Sequence, residues 1–191
     1  MNIPTFPLPV FLLPQGITRL RIFEQRYLHM IKIATKNSGF VIVLNEYLND
    51  ALIESEITGS WVEVVNFFTS DEGILIVDVK CKSLVSVEIS YKDKLNLLWS
   101  TCKPISHWKS AEHNKTTLNM SKSLRLFFEQ SNDLSSLYIN KFIDTPNWVI
   151  SRWLELLPIP SHEKTCFFEE TSYLQAQQFL SGLLSEKVTL N

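Results

Sequence analysis

Residues 6–16 read FPLPVFLLPQG, and residues 20–31 follow as LRIFEQRYLHMI. Prolines interrupt the apolar run of the first stretch, and because proline cannot donate a backbone hydrogen bond, this run is expected to form an edge strand or an irregular one. In the second stretch, the apolar residues Phe23, Tyr27 and Met30 recur at helical spacing. The two stretches together predict a strand, a turn and a helix.

The rest of the chain changes character near its middle. Its first half is rich in β-branched and aromatic residues, which is typical of strands, and its last third follows helical spacing. The polar residues 109–117 predict a linker between them. Several short strands, including a hairpin over residues 60–89 with a polar turn at residues 70–73, indicate a small closed or half-closed barrel. In the last third, Asp144, Thr145 and Pro146 predict the start of a helix. We therefore predict an α+β chain, with a small β-barrel and one packed helix over residues 1–115 and an all-α helical bundle over residues 116–191.

Composition excludes several classes of protein. The chain has 191 residues, 45% of them hydrophobic, and a net charge of −2, which argues against intrinsic disorder. Its 5 glycines are widely separated, so neither GxGxxG nor a Walker A loop is present to bind phosphates, and no cofactor is predicted. The balance of 18 basic against 20 acidic residues disfavours general nucleic-acid binding.

The expected location follows from the cysteines and from the start of the chain. Three widely spaced cysteines indicate reduced thiols rather than a disulfide framework. The first apolar run contains four prolines in residues 1–16 and no preceding basic residue, so it is a poor secretory signal and is too short to span a membrane. We expect a cytoplasmic protein that has no membrane partner.

The ordered series of motifs in residues 6–31 resembles the N-terminal, substrate-binding domain of the ATP-dependent protease Lon. That family opens with a Phe-Pro-Leu strand, a Pro-x-Gly turn and a Leu-x-Ile-Phe-Glu-x-Arg-Tyr corner between strand and helix, which match residues 6–8, 14–16 and 20–27. Weaker matches occur in residues 56–60 and 154–159. The resemblance implies a barrel like that of pseudouridine synthase and archaeosine transglycosylase (PUA-like) followed by a helical bundle. It also implies a stand-alone domain that is not an enzyme, because the ATPase and Ser-Lys protease modules of Lon are missing.

One part of the sequence departs from the family pattern. After Val79 the family tends to have a glycine and then an Arg-Phe pair, whereas Cys81, Leu84 and Val85 occupy those places here. Side chains alternate between the two faces of a strand. Regular alternation from Leu75 onward predicts that Leu84 faces outward, where apolar surface would replace an arginine contact.

Eight residues are candidates for binding a polypeptide. Four of them are charged residues beside an apolar run, Arg19, Arg21, Glu24 and Arg26. The simpler explanation of these charges is an ion pair between Glu24 and an arginine that holds the strand-to-helix corner in place above Tyr27. The adjacent Phe67 and Phe68 must point to opposite faces of a strand, so one ring is expected to be exposed or covered by another element. Trp61 belongs to the same aromatic-rich hairpin, and the complete set is Arg19, Arg21, Glu24, Arg26, Tyr27, Trp61, Phe67 and Phe68.

No catalytic or metal-binding residue is predicted. The spacing of Cys102, His107 and His113 matches no zinc pattern, and a closed zinc site needs four ligands. No serine lies in a GxSxG context.

The function expected from these features is binding of unfolded or hydrophobic polypeptide segments, as an adaptor or regulator in protein quality control that works with a protease or chaperone. Two alternatives remain open. PUA-like barrels elsewhere contact RNA, and an enzyme could assemble its site from scattered residues. The oligomeric state does not follow from the sequence.

Overall fold

The computed structural model describes residues 1–37, 39–45 and 57–188. It divides into two compact units, Met1–Ile105 and Ser106–Asn191, so the division lies earlier than the predicted boundary after residue 115. The physical reason is that His107 and Trp108 pack within the helical unit. The Trp108 indole Nε1 donates a hydrogen bond to Ser172 Oγ at 2.9 Å, and a ring nitrogen of His107 lies 3.1 Å from the Phe167 carbonyl oxygen.

The first unit consists of six strands and one helix in its described part. In chain order these are β1 (Asn2–Pro7), β2 (Ile17–Ile22), α1 (Gln25–Ala34), β3 (Phe40–Val43), β4 (Ile57–Thr69), β5 (Leu75–Lys92) and β6 (Leu98–Pro104). The predicted first strand therefore begins earlier, and it ends at Pro7. It lies between β3 and β6 instead of at an edge.

Five of the strands form a closed ring, because β5 pairs with the strands at both ends of the series. The order of strands is β2-β5-β4-β3-β1-β6, and β6 also pairs with β5. Strand β5 is long enough to pair with β2 in its first half and with β6 in its second half, while β4 lies along its other edge. The ring of five strands agrees with the predicted closed barrel, and together with the helical unit it confirms the α+β class.

A β-bulge in β5 corrects the prediction for Leu84. Cys81 pairs with Val62 and Ser83 pairs with Trp61, so Lys82 is an extra residue that opposes no partner. Because side chains alternate in a strand, the extra residue reverses which positions face which side. Leu84 therefore lies on the same face of β5 as Val79 and Cys81 and is fully buried, so the prediction that it faces outward as exposed apolar surface was wrong.

The bulge also divides the residues of β5 between two hydrophobic clusters on opposite faces of the sheet. Before it, Val77, Val79 and Cys81 join a cluster with α1, and after it, Val85 and Val87 join a second one. Strand β3 contributes alternate residues to the two clusters, Phe40 and Ile42 to the first and Val41 and Val43 to the second.

The second unit is helical in its described part. Its helices are α2 (Lys115–Gln130), α3 (Asn132–Leu137), α4 (Pro146–Leu156), α5 (Ser161–Lys164) and α6 (Tyr173–Val188), with a 3-10 turn at Thr165–Phe168. The predicted helix start at Asp144-Thr145-Pro146 is confirmed, since Pro146 occupies the first turn of α4. No helix among the described residues is both long and apolar enough to cross a membrane.

The core of the helical unit combines aromatic rings with one buried ion pair. The rings of Phe128, Tyr138 and Trp148 lie with centroids 5.3 to 5.8 Å apart. The fully buried Arg152 donates two hydrogen bonds to the Glu155 carboxylate, each of 2.7 Å. A buried guanidinium needs such a partner because its desolvation is otherwise too costly.

Candidate functional site

The end of the β4–β5 hairpin exposes three large apolar side chains. Val65 is 47% exposed, Phe67 62% and Phe68 43%. We call these three residues the hairpin surface. The predicted turn over residues 70–73 connects the strands, with the Ser70 N–H donating to the Ile74 carbonyl at 2.9 Å. Gly73 adopts a positive φ of 76°, which favours glycine.

A second β-bulge determines how the two phenylalanines point. Val64 pairs with Val79 and Asn66 pairs with Asp78, so Val65 is the extra residue in β4. After this bulge, Phe67 opposes Val77 and Phe68 opposes Ile76. Phe67 therefore lies on the same face of the sheet as Val77 and the cluster beside α1, and Phe68 lies on the opposite face. Both rings are exposed. The sequence predicted only that one of the two would be either exposed to solvent or covered by another element of the fold.

An ion pair lies beside Phe68 on the same face of the sheet. Arg19 donates to both carboxylate oxygens of Asp78, from Nε at 2.6 Å and from Nη2 at 2.9 Å, and Asn66 Nδ2 donates to the same carboxylate at 3.1 Å. The hydrogen bond from Arg19 lowers the pKa of Asp78 below its usual value, although burial opposes this. The Arg19 guanidinium carbon also lies 5.2 Å from the centroid of the Phe68 ring. The Phe68 ring thus lies against a guanidinium that is held in place and neutralised by Asp78.

The second arginine of β2 is paired as well. Arg21 Nη2 lies 2.8 Å from a Glu72 carboxylate oxygen, and both side chains are mostly exposed. A pair in this position contributes little to stability because water and salt screen it. It does leave the hairpin end with no unbalanced arginine charge.

The corner residues lie together in a separate arrangement. Arg26 Nη2 is 2.7 Å from the Glu24 carboxylate, and the guanidinium carbon lies 4.8 Å from the centroid of the Tyr27 ring. The Tyr27 ring stacks on Phe6 with centroids 4.0 Å apart, and burial raises its pKa. These contacts connect the start of α1 to β1 and have an evident structural role.

Trp61 lies apart from both groups. Its ring packs against the second hydrophobic cluster, and Lys82 Nζ lies 4.4 Å from the ring centroid. The structure therefore distributes the eight candidate residues over three places: the hairpin end, the corner and the bulge in β5. The first of these holds Arg19, Arg21, Phe67 and Phe68.

Two neighbours of the hairpin end were missed in the sequence. Asp78 is far from Arg19 along the chain, and only the β2–β5 register places the two side chains opposite each other. Val65 looked like one of several alternating strand residues, and the bulge that exposes it has no signal in the sequence.

The start of α1 also differs from the prediction. Phe23, predicted as part of the helix, precedes α1 and is 71% exposed.

Of the three residues considered for metal binding, one is a buried thiol and two are histidines that lie at hydrogen-bond distance from backbone carbonyls. Burial raises the pKa of the Cys102 thiol to about 11, which keeps it protonated. His107 contacts the Phe167 carbonyl, and a ring nitrogen of His113 lies 2.6 Å from the Asp144 carbonyl oxygen. Within residues 1–37, 39–45 and 57–188, no three His, Cys, Asp or Glu side chains lie close enough together to hold a metal ion.

The architecture was compared with those of known proteins. No protein-family model matches the sequence, and no curated protein matches it significantly. Among solved structures, the chain is similar to a Lon N-terminal domain protein from Xanthomonas campestris, with 20% identity and a TM-score of 0.69 over 94% of this chain and 96% of that one. It is also similar to the N-terminal domain of the Mycobacterium avium complex Lon protease, with 11% identity and a TM-score of 0.60 over 94% and 96% of the two chains. The chain therefore has the fold of the Lon N-terminal domain, as the motifs in residues 6–31 predicted.

Proposed function

We propose that the chain is a non-catalytic module that binds exposed apolar segments of unfolded polypeptides through the hairpin surface. The observation that supports this best is the joint exposure of Val65, Phe67 and Phe68 at one end of the sheet. Large apolar residues exposed close together on a folded domain mark interaction sites. Aromatic rings suit this purpose because they bury a large area and have few torsions to immobilise.

The charges around the hairpin surface favour an uncharged partner. Arg19 is paired with Asp78 and Arg21 with Glu72, so neither arginine is available to select an acidic segment. Binding then depends on removing apolar area from water, and we expect the affinity to change little with salt concentration.

The fold likeness supports a place for this module in protein quality control. One of the similar structures is part of a Lon protease. We propose that this chain acts in the cytoplasm as an adaptor or regulator, and that it presents bound polypeptides to a protease or chaperone.

A binding measurement with matched variants tests the proposal. The probe is a fluorescently labelled polypeptide that cannot fold and that contains apolar segments, titrated with the protein and followed by anisotropy. The double variant Phe67→Ser/Phe68→Ser should bind at least about tenfold more weakly. The control Ile139→Ser removes a side chain that is 92% exposed in the helical unit, and it should bind like the unchanged protein.

Two results would contradict the proposal. One is the absence of saturable binding by the unchanged protein. The other is an equal loss of affinity in the double variant and in Ile139→Ser, because that would indicate nonspecific adsorption. Circular dichroism and thermal unfolding establish that each variant is folded.

A further inference from the structure

Strand β4 has an open edge beside the hairpin surface. Strand β3 pairs with β4 only from Ser60 to Val62, whereas β5 pairs with it as far as Thr69. Over residues 65–69, β4 therefore has a strand neighbour on one side only, within the part of the chain that the structure describes. The other side presents backbone groups without a strand partner.

The hydrogen-bond pattern of the hairpin shows which backbone groups face this open edge. Ser70 donates its N–H to the Ile74 carbonyl, so this pair is hydrogen-bonded across the ladder. Hydrogen-bonded and non-hydrogen-bonded pairs alternate between antiparallel strands. Phe68 is therefore bonded to β5, and Phe67 and Thr69 direct their N–H and C=O groups toward the open edge.

The composition of this edge is unusual for a folded domain. Residues 65–69 read VNFFT, with no charged residue and no proline, and all five side chains are exposed. Proteins normally protect an edge strand with lysine, proline or a covering element, because an unprotected apolar edge pairs with other chains. Among the described residues, the edge lacks that protection at the same place where the hairpin surface is exposed.

We propose, building on the function proposed above, that the bound polypeptide adds to this edge as an additional β-strand. Phe67 and Thr69 supply main-chain hydrogen bonds, and the two phenylalanine rings flank the added strand on opposite faces. Because successive side chains of a strand alternate between faces, one residue of the partner packs on the face of Phe67 and the next packs on the face of Phe68.

This geometry defines the class of segment that is recognised. The partner is an uncharged stretch of consecutive apolar residues, not an alternating polar and apolar one, since an alternating strand would place polar groups against one of the rings. Consecutive apolar residues are typical of strands that are buried on both faces in a native protein. Such strands become accessible only when their protein unfolds, which would give the module selectivity for unfolded chains.

The test uses synthetic peptides and the full chain. The parent peptide has a central run of consecutive branched aliphatic residues, and a second peptide of the same composition alternates them with serine. A third peptide repeats the parent with two successive central amides N-methylated, which removes two main-chain donors and adds apolar surface. We expect the alternating and methylated peptides to bind at least about tenfold more weakly than the parent.

The outcomes separate the two proposals. If the parent binds and the methylated peptide binds equally well or better, strand addition is wrong while polypeptide binding stands. If the parent and the labelled unfolded polypeptide both fail to bind, the proposed function itself fails. If the alternating peptide equals the parent, the preference for consecutive apolar residues is wrong.

A variant of the protein gives an independent measurement. Thr69→Pro removes an N–H that faces the open edge and leaves the bonds to β5 in place. It should weaken binding of the parent peptide about tenfold, whereas Thr69→Ser should leave it unchanged. Full affinity in a folded Thr69→Pro variant would overturn the assignment of this edge, and the methylated peptide decides the question if that variant does not fold.

Discussion

The corner between β2 and α1 and the end of the β4–β5 hairpin combine the same kinds of side chain. In each, an arginine pairs with a carboxylate and lies over an aromatic ring, Arg26 over Tyr27 and Arg19 over Phe68. At the corner the ring stacks on Phe6 and is largely covered, so the arrangement holds two elements together. At the hairpin end the ring is exposed.

The difference arises from the length of neighbouring elements. The corner lies where α1 packs against the sheet, so its rings have apolar partners. The hairpin continues past the last residue of β4 that pairs with β3, and its rings extend beyond the covered part of the sheet. The same chemistry thus stabilises the fold in one place and is available for binding in the other.

The largest expected effect tests the structural role of the corner. Phe6→Ala removes the ring beneath Tyr27 from a position that is almost fully buried, and it should reduce the free energy of unfolding by about 3–5 kcal/mol. Urea unfolding followed by tryptophan fluorescence measures this. A loss below about 1 kcal/mol would mean that the corner is not a stabilising cluster and that the contrast with the hairpin end is false.

A smaller effect is expected for Asp78→Asn, which breaks the ion pair at the hairpin end. The Asp78 side chain is 6% exposed and Arg19 is 37% exposed, so the cost lies between that of a buried pair and that of a surface pair, at about 1–2 kcal/mol near neutral pH. The pKa of Asp78 is lowered in the folded state, so the carboxylate binds a proton less readily than it does in the unfolded chain. Its stabilisation is complete above the unfolded pKa of about 3.9 and is lost as the pH falls through the folded pKa.

Urea unfolding of both proteins between neutral and strongly acidic pH tests the sign of this dependence. The difference between the unchanged protein and Asp78→Asn should shrink at acidic pH. A difference that stays constant over this range would show that the charge of Asp78 is not what stabilises the pair.

A still smaller effect on stability is expected at the exposed rings. Phe67→Ala should change the free energy of unfolding by no more than about 0.5 kcal/mol, because the ring is mostly solvated already. Phe68→Ala should cost slightly more, since it also removes the contact with Arg19. If either variant is as destabilising as Phe6→Ala, the hairpin surface is part of the core and the comparison with the corner no longer holds.

The smallest effect is expected for Glu72→Gln. Both members of the Arg21–Glu72 pair are largely exposed, so the free energy of unfolding should change by about 0.5 kcal/mol or less. The variant leaves Arg21 without its carboxylate, so it should bind an acidic peptide more tightly at low salt than the unchanged protein does. Identical affinities for that peptide would show that Glu72 does not neutralise the hairpin end.

The sequence predicted the parts of this structure that depend on neighbours along the chain. The hairpin turn, the start of α4 and the pairing of Glu24 with an arginine involve residues a few positions apart, where spacing and residue type suffice. The Arg19–Asp78 pair was missed because it depends on the register of β2 against β5. Leu84 was placed on the wrong face because one extra residue in a strand reverses its alternation, and residue types do not mark where that residue lies. The exposure of both Phe67 and Phe68 was not foreseen because it depends on where β3 stops pairing with β4.

The bulge at Lys82 has a consequence for how this chain can be aligned with proteins of the same fold. Cys81 and Ser83 already oppose the adjacent residues Val62 and Trp61, so a chain that lacks Lys82 keeps every pairing of β5 on both sides of the missing residue. Removing Leu84 instead would delete a fully buried side chain, and the strand would have to give up the bulge to keep Val85 and Val87 in register. A single-residue gap in this strand therefore belongs opposite Lys82, and a chain shortened there should still fold.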